Sequence, residues 1–253
     1  MKLSFNKRLQ EICNKKNSHL CIGLDIDPER FPSGRDTSLQ GMETFAKEII
    51  DGTIELCPAY KPNFAFYERF GSGGYALLER IVDYVSGRAI IIADAKRGDI
   101  GNSSRQYARA ILNTMGCDAI TVSPYMGRDA IEPFIKNPDK GVFILAVTSN
   151  PSARELQEHG GTSNPLYKKV IQLAVELNQG DNIGLVVGAT QIEVMEDIRK
   201  QSKGMPWLIP GVGSQGGDLE TALNISHENG IGIINISRGI LYAGNGSMKA
   251  VIQ

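Results

Sequence analysis

Eight short apolar runs recur along nearly the whole sequence. They are largely continuous rather than alternating, which is typical of strands covered on both faces, as in a parallel sheet. In order they read HLCIGLD, PAYKPNF, AIIIAD, DAITVS, VFILAV, NIGLVV, WLIPGV and IGIINIS. Segments with apolar residues at three- and four-residue intervals lie between them and predict amphipathic helices. The chain is therefore expected to alternate strand and helix.

This alternation predicts an α/β fold of the (βα)8 TIM barrel type. A parallel connection needs a crossover helix, and eight strands close the sheet. The 253 residues suit one such barrel and show no internal break in composition, so a single domain over residues 1–253 is expected. A doubly wound open sheet is the alternative.

Two segments lie outside the strand and helix rhythm. The N-terminal segment predicts a further helix, with Ser4 as its N-cap and with Phe5, Leu9 and Ile12 along one stripe. We expect this helix to close the barrel floor. After the fifth run comes TSNPSARELQEHGGTSNPLY, which predicts a mobile loop over the active face.

The charge balance restricts the expected partners. Lys and Arg total 27 and Asp and Glu total 28, so no basic excess indicates nucleic acid and no block of charge indicates a membrane surface. No segment approaches the length of a membrane span, and the N-terminus does not resemble a signal peptide, so a cytoplasmic protein is expected.

The four cysteines form no C-x-x-C pair and are expected to be reduced and buried.

Polar residues at the ends of the first three apolar runs are the first candidate site, because the active site of an α/β barrel lies at the carboxyl ends of its strands. Side chains alternate across a strand, so Asp94 and Lys96 are expected to share a face, as are Lys61 and Asn63. An ordinary solvated turn with surface ion pairs is the alternative. The residues concerned are Asp25, Lys61, Asn63, Asp94, Lys96 and, just beyond the third run, Asp99.

A second candidate site is a phosphate-binding region after the last two runs. The stretch PGVGSQGGD is Gly-rich, so its backbone N–H groups can approach an anion, and SRG follows the eighth run. Gln215 and Arg238 could both hydrogen-bond a phosphate there. The alternative is that the glycines only form a tight turn. No H-x-x-x-H pattern, calcium loop or nucleophile elbow is present, so nothing in the sequence requires a metal.

Six motifs occur in the same order as in a known family. GLDIDP, YKPNFAFYE, IIADAKRGDIGNSS, TSNPS, PGVGSQGGD and ISRGI closely resemble the orotidine 5′-phosphate decarboxylases, in their longer bacterial-type branch. The resemblance implies decarboxylation of orotidine 5′-monophosphate to uridine 5′-monophosphate, the last step of de novo pyrimidine (UMP) biosynthesis. It also implies that no metal or cofactor is used, and that the protein is a homodimer with shared active sites.

The resemblance further implies a role for each matching residue. Lys96 resembles the proton donor to the C6 carbanion, and Lys61, Asp94 and Asp99 complete an alternating network. Asp99 resembles an aspartate that reaches into the neighbouring subunit's site, together with Ile100 and Ser103. The other implied substrate contacts are Asp25 and Lys61 at the ribose, Ser149 at the pyrimidine, Gln215 between ring and phosphate, and Arg238 with the Gly239 backbone at the phosphate. Arg97 is expected to point away from the catalytic face.

Two other functions stay open at this point. A sugar-phosphate aldolase or decarboxylase, such as a hexulose-phosphate synthase, resembles the same D-x-K-x-x-D motif but uses a magnesium-bound enediolate. Those relatives tend to place a carboxylate on the second strand, where this chain has Lys61. A non-catalytic barrel that binds a phosphorylated ligand is the second alternative.

Overall fold

A computed structural model describes residues 2–212, 217–246 and 250–251. Its eight strands are parallel, and they form one closed barrel in chain order, β1 to β8. The predicted (βα)8 barrel is therefore confirmed, and the open-sheet alternative is wrong. The strands are β1 Leu20–Gly23, β2 Ala59–Lys61, β3 Ile90–Arg97, β4 Ala119–Val122, β5 Gly141–Val147, β6 Ile183–Val187, β7 Trp207–Pro210 and β8 Gly232–Ile236.

Helices connect successive strands, as the apolar spacing predicts. The segment TSNPSARELQEHGGTSNPLY is less irregular than expected, because it contains a short helix, α7. The helices are α1 Phe5–Lys16, α2 Leu39–Thr53, α3 Ala65–Glu68, α4 Gly71–Val85, α5 Gly101–Ala108, α6 Arg128–Ile135, α7 Ala153–Gln157, α8 Leu166–Leu177, α9 Ile192–Gln201, α10 Leu219–His227 and α11 Arg238–Leu241. A π-helical turn, Arg109–Thr114, continues α5.

Helix α1 closes the amino-terminal end of the barrel, as predicted. The Ser4 hydroxyl accepts a hydrogen bond from the Lys7 amide and so caps the helix. Phe5 and Leu9 are fully buried, and the Phe5 ring meets the Phe143 ring edge to face at 5.9 Å between centroids. These side chains join the inward-facing residues of the strands in one apolar cluster. The barrel floor is therefore filled with apolar side chains.

The outward-facing residues of the strands pack under the surrounding helices in a second apolar cluster. Both faces of the sheet are thus covered, which explains why the strand sequences are continuously apolar. Apolar side chains fill the lower barrel, so the polar groups of a site are expected at the carboxyl ends of the strands.

The four cysteines, Cys13, Cys21, Cys57 and Cys117, are buried and unpaired, as expected. Among the described residues, no helix is both long enough and apolar enough to cross a membrane.

Candidate active site

Strand β3 carries a bulge at the mouth of the barrel. Ala93 pairs with Ile120 and Arg97 pairs with Val122, so residues 94–96 lie opposite one residue of β4, Thr121. Lys96 adopts a left-handed backbone conformation with φ of 46°. The sequence predicts that regular strand alternation places Asp94 and Lys96 on one face. The two side chains do meet, but the bulge interrupts the alternation, so regular alternation is not the reason. Bulges of this kind often redirect side chains next to active sites.

The Asp94 carboxylate is the centre of the charged network at this bulge. Its Oδ2 atom accepts a hydrogen bond of 2.6 Å from Lys61 Nζ, and its Oδ1 atom accepts one of 2.6 Å from Lys96 Nζ. The Thr121 hydroxyl also donates to Oδ1, at 3.1 Å. The side chains of Lys61 and Asp94 are 5% and 10% exposed, whereas that of Lys96 is 50% exposed. The structure thus brings together three residues that the sequence predicts, with Lys96 facing open space.

Burial and charge act in opposite directions on this network. Burial alone would raise the pKa of Asp94, but the ammonium groups of Lys61 and Lys96 outweigh it and hold that pKa well below its usual range. Burial alone would lower the pKa of Lys61, yet the carboxylates of Asp94 and Asp25 outweigh it and raise that pKa. Asp94 is therefore anionic and Lys61 cationic at neutral pH, before any ligand binds.

A cavity of about 440 Å³ opens above the network, among the ends of the strands. Its apolar part includes Leu145, Val186 and Leu208, and its polar part includes the predicted residue Ser149. Its full lining is Lys61, Asp94, Lys96, Thr121, Leu145, Thr148, Ser149, Asn150, Gln157, Val186, Leu208 and Pro210. The cavity thus combines an apolar wall with fixed charges, which is the usual composition of a small-molecule site.

Several residues at the cavity are absent from the sequence prediction, and two of them, Thr121 and Gln157, make hydrogen bonds that shape the site. Thr121 lies near the end of the fourth apolar run, so applying the strand-end rule to DAITVS would have found it. Gln157 of α7 accepts a hydrogen bond from the Thr148 amide at 2.9 Å and donates to the Thr148 hydroxyl at 2.8 Å. It thereby holds the start of the segment that carries Ser149. No sequence signal indicated Gln157, because it lies in the predicted loop.

Asp25 follows β1 and is half-buried near Lys61. Its Oδ1 atom is buried and has no hydrogen-bond partner among the described residues. The Tyr67 hydroxyl donates to the backbone oxygen of the preceding residue, Leu24, at 2.7 Å and so holds this segment in place. A buried, unpaired carboxylate oxygen is unfavourable unless a donor reaches it, so Asp25 is suited to accept a hydrogen bond from a ligand.

Asp99, Ile100 and Ser103 are not brought to the cavity of their own chain. The Asp99 carboxylate accepts a hydrogen bond from the Ile100 amide at 2.7 Å. Ile100 is 63% exposed, and Ser103 is also exposed. The cavity lining includes none of the three. Their predicted role in a neighbouring subunit's site stays a prediction.

The predicted phosphate region is described in part. Arg238 and Gly239 are exposed at the start of α11, directly after β8. Gln215, with its neighbours Gly213 and Gly216, lies outside the described residues. Arg238 thus lies at a strand end, and its expected role as a phosphate clamp stays a prediction.

Two further polar residues of the predicted strand ends do not face the cavity. Arg97 pairs with Glu68, and its guanidinium also donates to the Tyr75 hydroxyl at 3.3 Å. Asn63 accepts a hydrogen bond from the Ala65 amide at 3.2 Å at the start of α3. Arg97 therefore points away from the catalytic face, as expected, and stabilises the contact between β3 and α3.

Fold and site together define a class of protein: a (βα)8-barrel enzyme whose active end holds a preformed Lys–Asp–Lys charge network. Residues 18–250 match the model of the family described as orotidine 5′-phosphate decarboxylase / HUMPS, and the chain belongs to this family.

Individual relatives give the same result over nearly the whole chain. The orotidine 5′-phosphate decarboxylase of Dehalococcoides mccartyi (strain CBDB1) is 46% identical over 251 residues, which cover 97% of this chain and 91% of the relative. That of Natronomonas pharaonis is 44% identical over 248 residues, with coverages of 97% and 91%. The structure of Leishmania donovani OMP decarboxylase superposes with a TM-score of 0.85 at 34% identity and covers 98% of this chain and 95% of the other.

Proposed function

We propose that this chain decarboxylates orotidine 5′-monophosphate to uridine 5′-monophosphate and CO2, without a metal or an organic cofactor, as the last step of de novo pyrimidine biosynthesis. The observation that carries the proposal is the Asp94 carboxylate held between Lys61 and Lys96 at the mouth of the barrel. Family membership supports it, because the curated relatives that are 41–46% identical bear the name of this activity.

The charge network suits the chemical problem of this reaction. Loss of CO2 leaves a carbanion at C6 of the pyrimidine, with no adjacent carbonyl or imine to take up the electron pair. A cation fixed beside C6 in advance therefore lowers the barrier. The Lys96 ammonium is held at 2.6 Å by Asp94 and faces the cavity. It would stabilise the carbanion and then donate the proton to C6.

The remaining residues are assigned to substrate binding. Asp25, with its unpaired carboxylate oxygen, would accept from a ribose hydroxyl, and Lys61 lies next to it. Ser149 lines the cavity and would contact the pyrimidine. Arg238 and the Gly239 backbone would bind the phosphate from the end of β8, with Gln215 between phosphate and ring. Binding free energy from the phosphate, which does not react, would help to form the closed site.

The proposal includes a cytoplasmic homodimer with shared active sites. Asp99, Ile100 and Ser103 lie at the surface just beyond β3 and do not line their own cavity. From a partner subunit, Asp99 would add a second carboxylate beside Lys96, and Ile100 and Ser103 would contact the substrate. The exposed position of Ile100 supports this assignment, since a partner would cover its apolar side chain.

The magnesium-dependent alternative receives no support from the donor groups at the site. The family description includes HUMPS as well as orotidine 5′-phosphate decarboxylase, so the family match alone does not decide. The Lys61 ammonium group, however, lies 2.6 Å from Asp94 Oδ2. A metal ion bound to that oxygen would lie close to this ammonium group, and the two positive charges would repel each other, so Lys61 disfavours a metal there.

The deciding experiment is an ultraviolet absorbance assay of the purified protein with orotidine 5′-monophosphate in excess chelator. We expect turnover that is unchanged when magnesium replaces the chelator. Uridine 5′-monophosphate in place of the substrate gives the baseline. Absence of turnover contradicts the proposal and leaves a ligand-binding barrel, whereas turnover only with magnesium favours the alternative enzyme class.

A further inference from the structure

Thr121 makes two hydrogen bonds to the β3 bulge through one hydroxyl group. Its Oγ1 atom accepts from the Lys96 amide at 2.9 Å and donates to Asp94 Oδ1 at 3.1 Å. The residue is 1% exposed and lies on β4, directly opposite the bulge. One buried hydroxyl thus contacts both members of the Asp94–Lys96 pair.

The bulge needs such a contact to hold its shape. Residues 94–96 oppose a single residue of β4, so the regular ladder of backbone hydrogen bonds is interrupted there. The Lys96 amide would lack its ladder partner, and the Thr121 hydroxyl supplies one. In addition, Lys96 has a left-handed backbone conformation that residues with a Cβ atom rarely adopt without support from their surroundings.

The backbone conformation of Lys96 decides where its ammonium group points. Lys61 on β2 already holds the Asp94 carboxylate in place through a hydrogen bond to Oδ2. Thr121 ties the Lys96 backbone to the other oxygen of that carboxylate, Oδ1, which also accepts from Lys96 Nζ. A hydroxyl is suited to this place because it accepts and donates at once without changing the charge of the network.

We propose that Thr121 is a positioning residue for the decarboxylation: it locks the β3 bulge and thereby directs Lys96 Nζ towards Asp94 and the cavity. In this role Thr121 would act through Lys96 and Asp94 and not on the reacting atoms directly. The kinetic part of this inference rests on the proposed function, whereas the structural part does not.

The test uses Thr121→Val, which keeps the shape of the side chain and removes the hydroxyl, and Thr121→Ser, which restores the hydroxyl. A hydrogen bond to a charged group corresponds to about a 10- to 100-fold effect, so we expect kcat to fall by that factor in Thr121→Val. KM should change by less than about threefold, because the substrate contacts remain. Thr121→Ser should recover most of kcat. Thr121→Ala provides the same comparison if Thr121→Val does not fold.

Thr53→Val is the matched control for a purely structural effect. The Thr53 hydroxyl is also buried and hydrogen-bonded, to the Ile49 backbone oxygen at 2.6 Å and the Tyr60 hydroxyl at 2.8 Å, but it lies on α2 outside the cavity. Its loss should lower the thermal midpoint and leave kcat within about twofold of wild type. An equal fall of kcat in Thr53→Val would overturn the positioning role.

A crystal structure of Thr121→Val tests this inference independently of the proposed function, because it measures the position of Lys96 and not turnover. We expect Lys96 to leave the left-handed conformation and its Nζ atom to move out of hydrogen-bond distance of Asp94 Oδ1. If wild-type protein does not decarboxylate orotidine 5′-monophosphate, the proposed function fails, and the crystal structure still decides the role of Thr121. An unchanged Lys96 in that structure, or full kcat in Thr121→Val, overturns the inference.

Discussion

Lys61 donates a 2.6 Å hydrogen bond to the Oδ2 atom of Asp94, and both side chains are buried at the mouth of the barrel. Removing two charges from water costs free energy that their mutual attraction offsets only in part. Such a pair is therefore weak evidence for a purely stabilising role. Its place beside the cavity instead supports a site in which charge is fixed before the substrate arrives.

The first prediction concerns the pH dependence of stability that this pair produces. The pKa of Asp94 in the folded protein lies well below that of the unfolded chain. Its stabilisation is therefore complete above about pH 4 and is lost as the pH falls through the folded pKa. Below about pH 4, the free energy of unfolding of wild-type protein should fall with pH more steeply than that of Asp94→Asn. We expect a difference of about 1.4 kcal/mol per pH unit, measured by urea unfolding.

Asp83→Asn, an exposed position on α4, is the control for this measurement. Its unfolding free energy should follow the wild-type pH dependence. Equal slopes for wild type and Asp94→Asn below about pH 4 would show that the two lysines do not lower the pKa of Asp94.

The second prediction is that Lys96→Ala removes turnover while ligand binding persists. In the proposed mechanism the variant loses both the cation beside C6 and the proton donor, so kcat should fall by at least about a thousandfold. The proposed phosphate and ribose contacts remain, so uridine 5′-monophosphate should still bind in calorimetry. Lys7→Ala, at an exposed position on α1, should retain wild-type kcat. Turnover of Lys96→Ala near the wild-type rate would assign proton donation to another residue.

The third prediction tests active sites shared between two subunits. Asp99→Ala and Lys96→Ala should each be nearly inactive alone. A mixed dimer has one site in which both residues are native, so an equal mixture with random exchange should recover about a quarter of wild-type activity. Activity is measured after denaturation and joint refolding, with subunit exchange verified by native mass spectrometry. Verified exchange without recovered activity would place Asp99 outside the partner's site.

Much of the fold follows from the sequence because its strongest signals are local and repeated. The continuous apolar runs and the helical spacing between them predict each strand and the closed barrel. The strand-end rule likewise predicts that Lys61, Asp94 and Lys96 lie close together, and both lysines are within hydrogen-bond distance of Asp94, while their catalytic roles stay a prediction. These predictions succeed because burial on both faces of a parallel strand leaves a clear apolar pattern.

The β3 bulge could not be predicted in the same way. A bulge depends on the register between β3 and β4, and the sequence around Lys96 contains no glycine at the left-handed position to signal it. The strand-end rule can find Thr121 as a cavity residue, but its two hydrogen bonds to the bulge depend on that register and leave no signal in the sequence. The proposed contact of Asp99 with a partner subunit is a different case, since such a contact would leave no periodic signal within one chain.

The last prediction concerns the apolar floor of the barrel. Phe5 is fully buried against Phe143 and packs over Gly141 at the start of β5. Phe5→Ala should therefore lower the free energy of unfolding by about 3–5 kcal/mol, measured by urea unfolding, whereas Leu3→Ala, at an exposed position, should change it by less than about 0.5 kcal/mol. Because α1 lies at the end of the barrel opposite the cavity, kcat of folded Phe5→Ala should stay within about twofold of wild type. A loss of stability no larger than that of Leu3→Ala would mean that α1 does not close the barrel in solution.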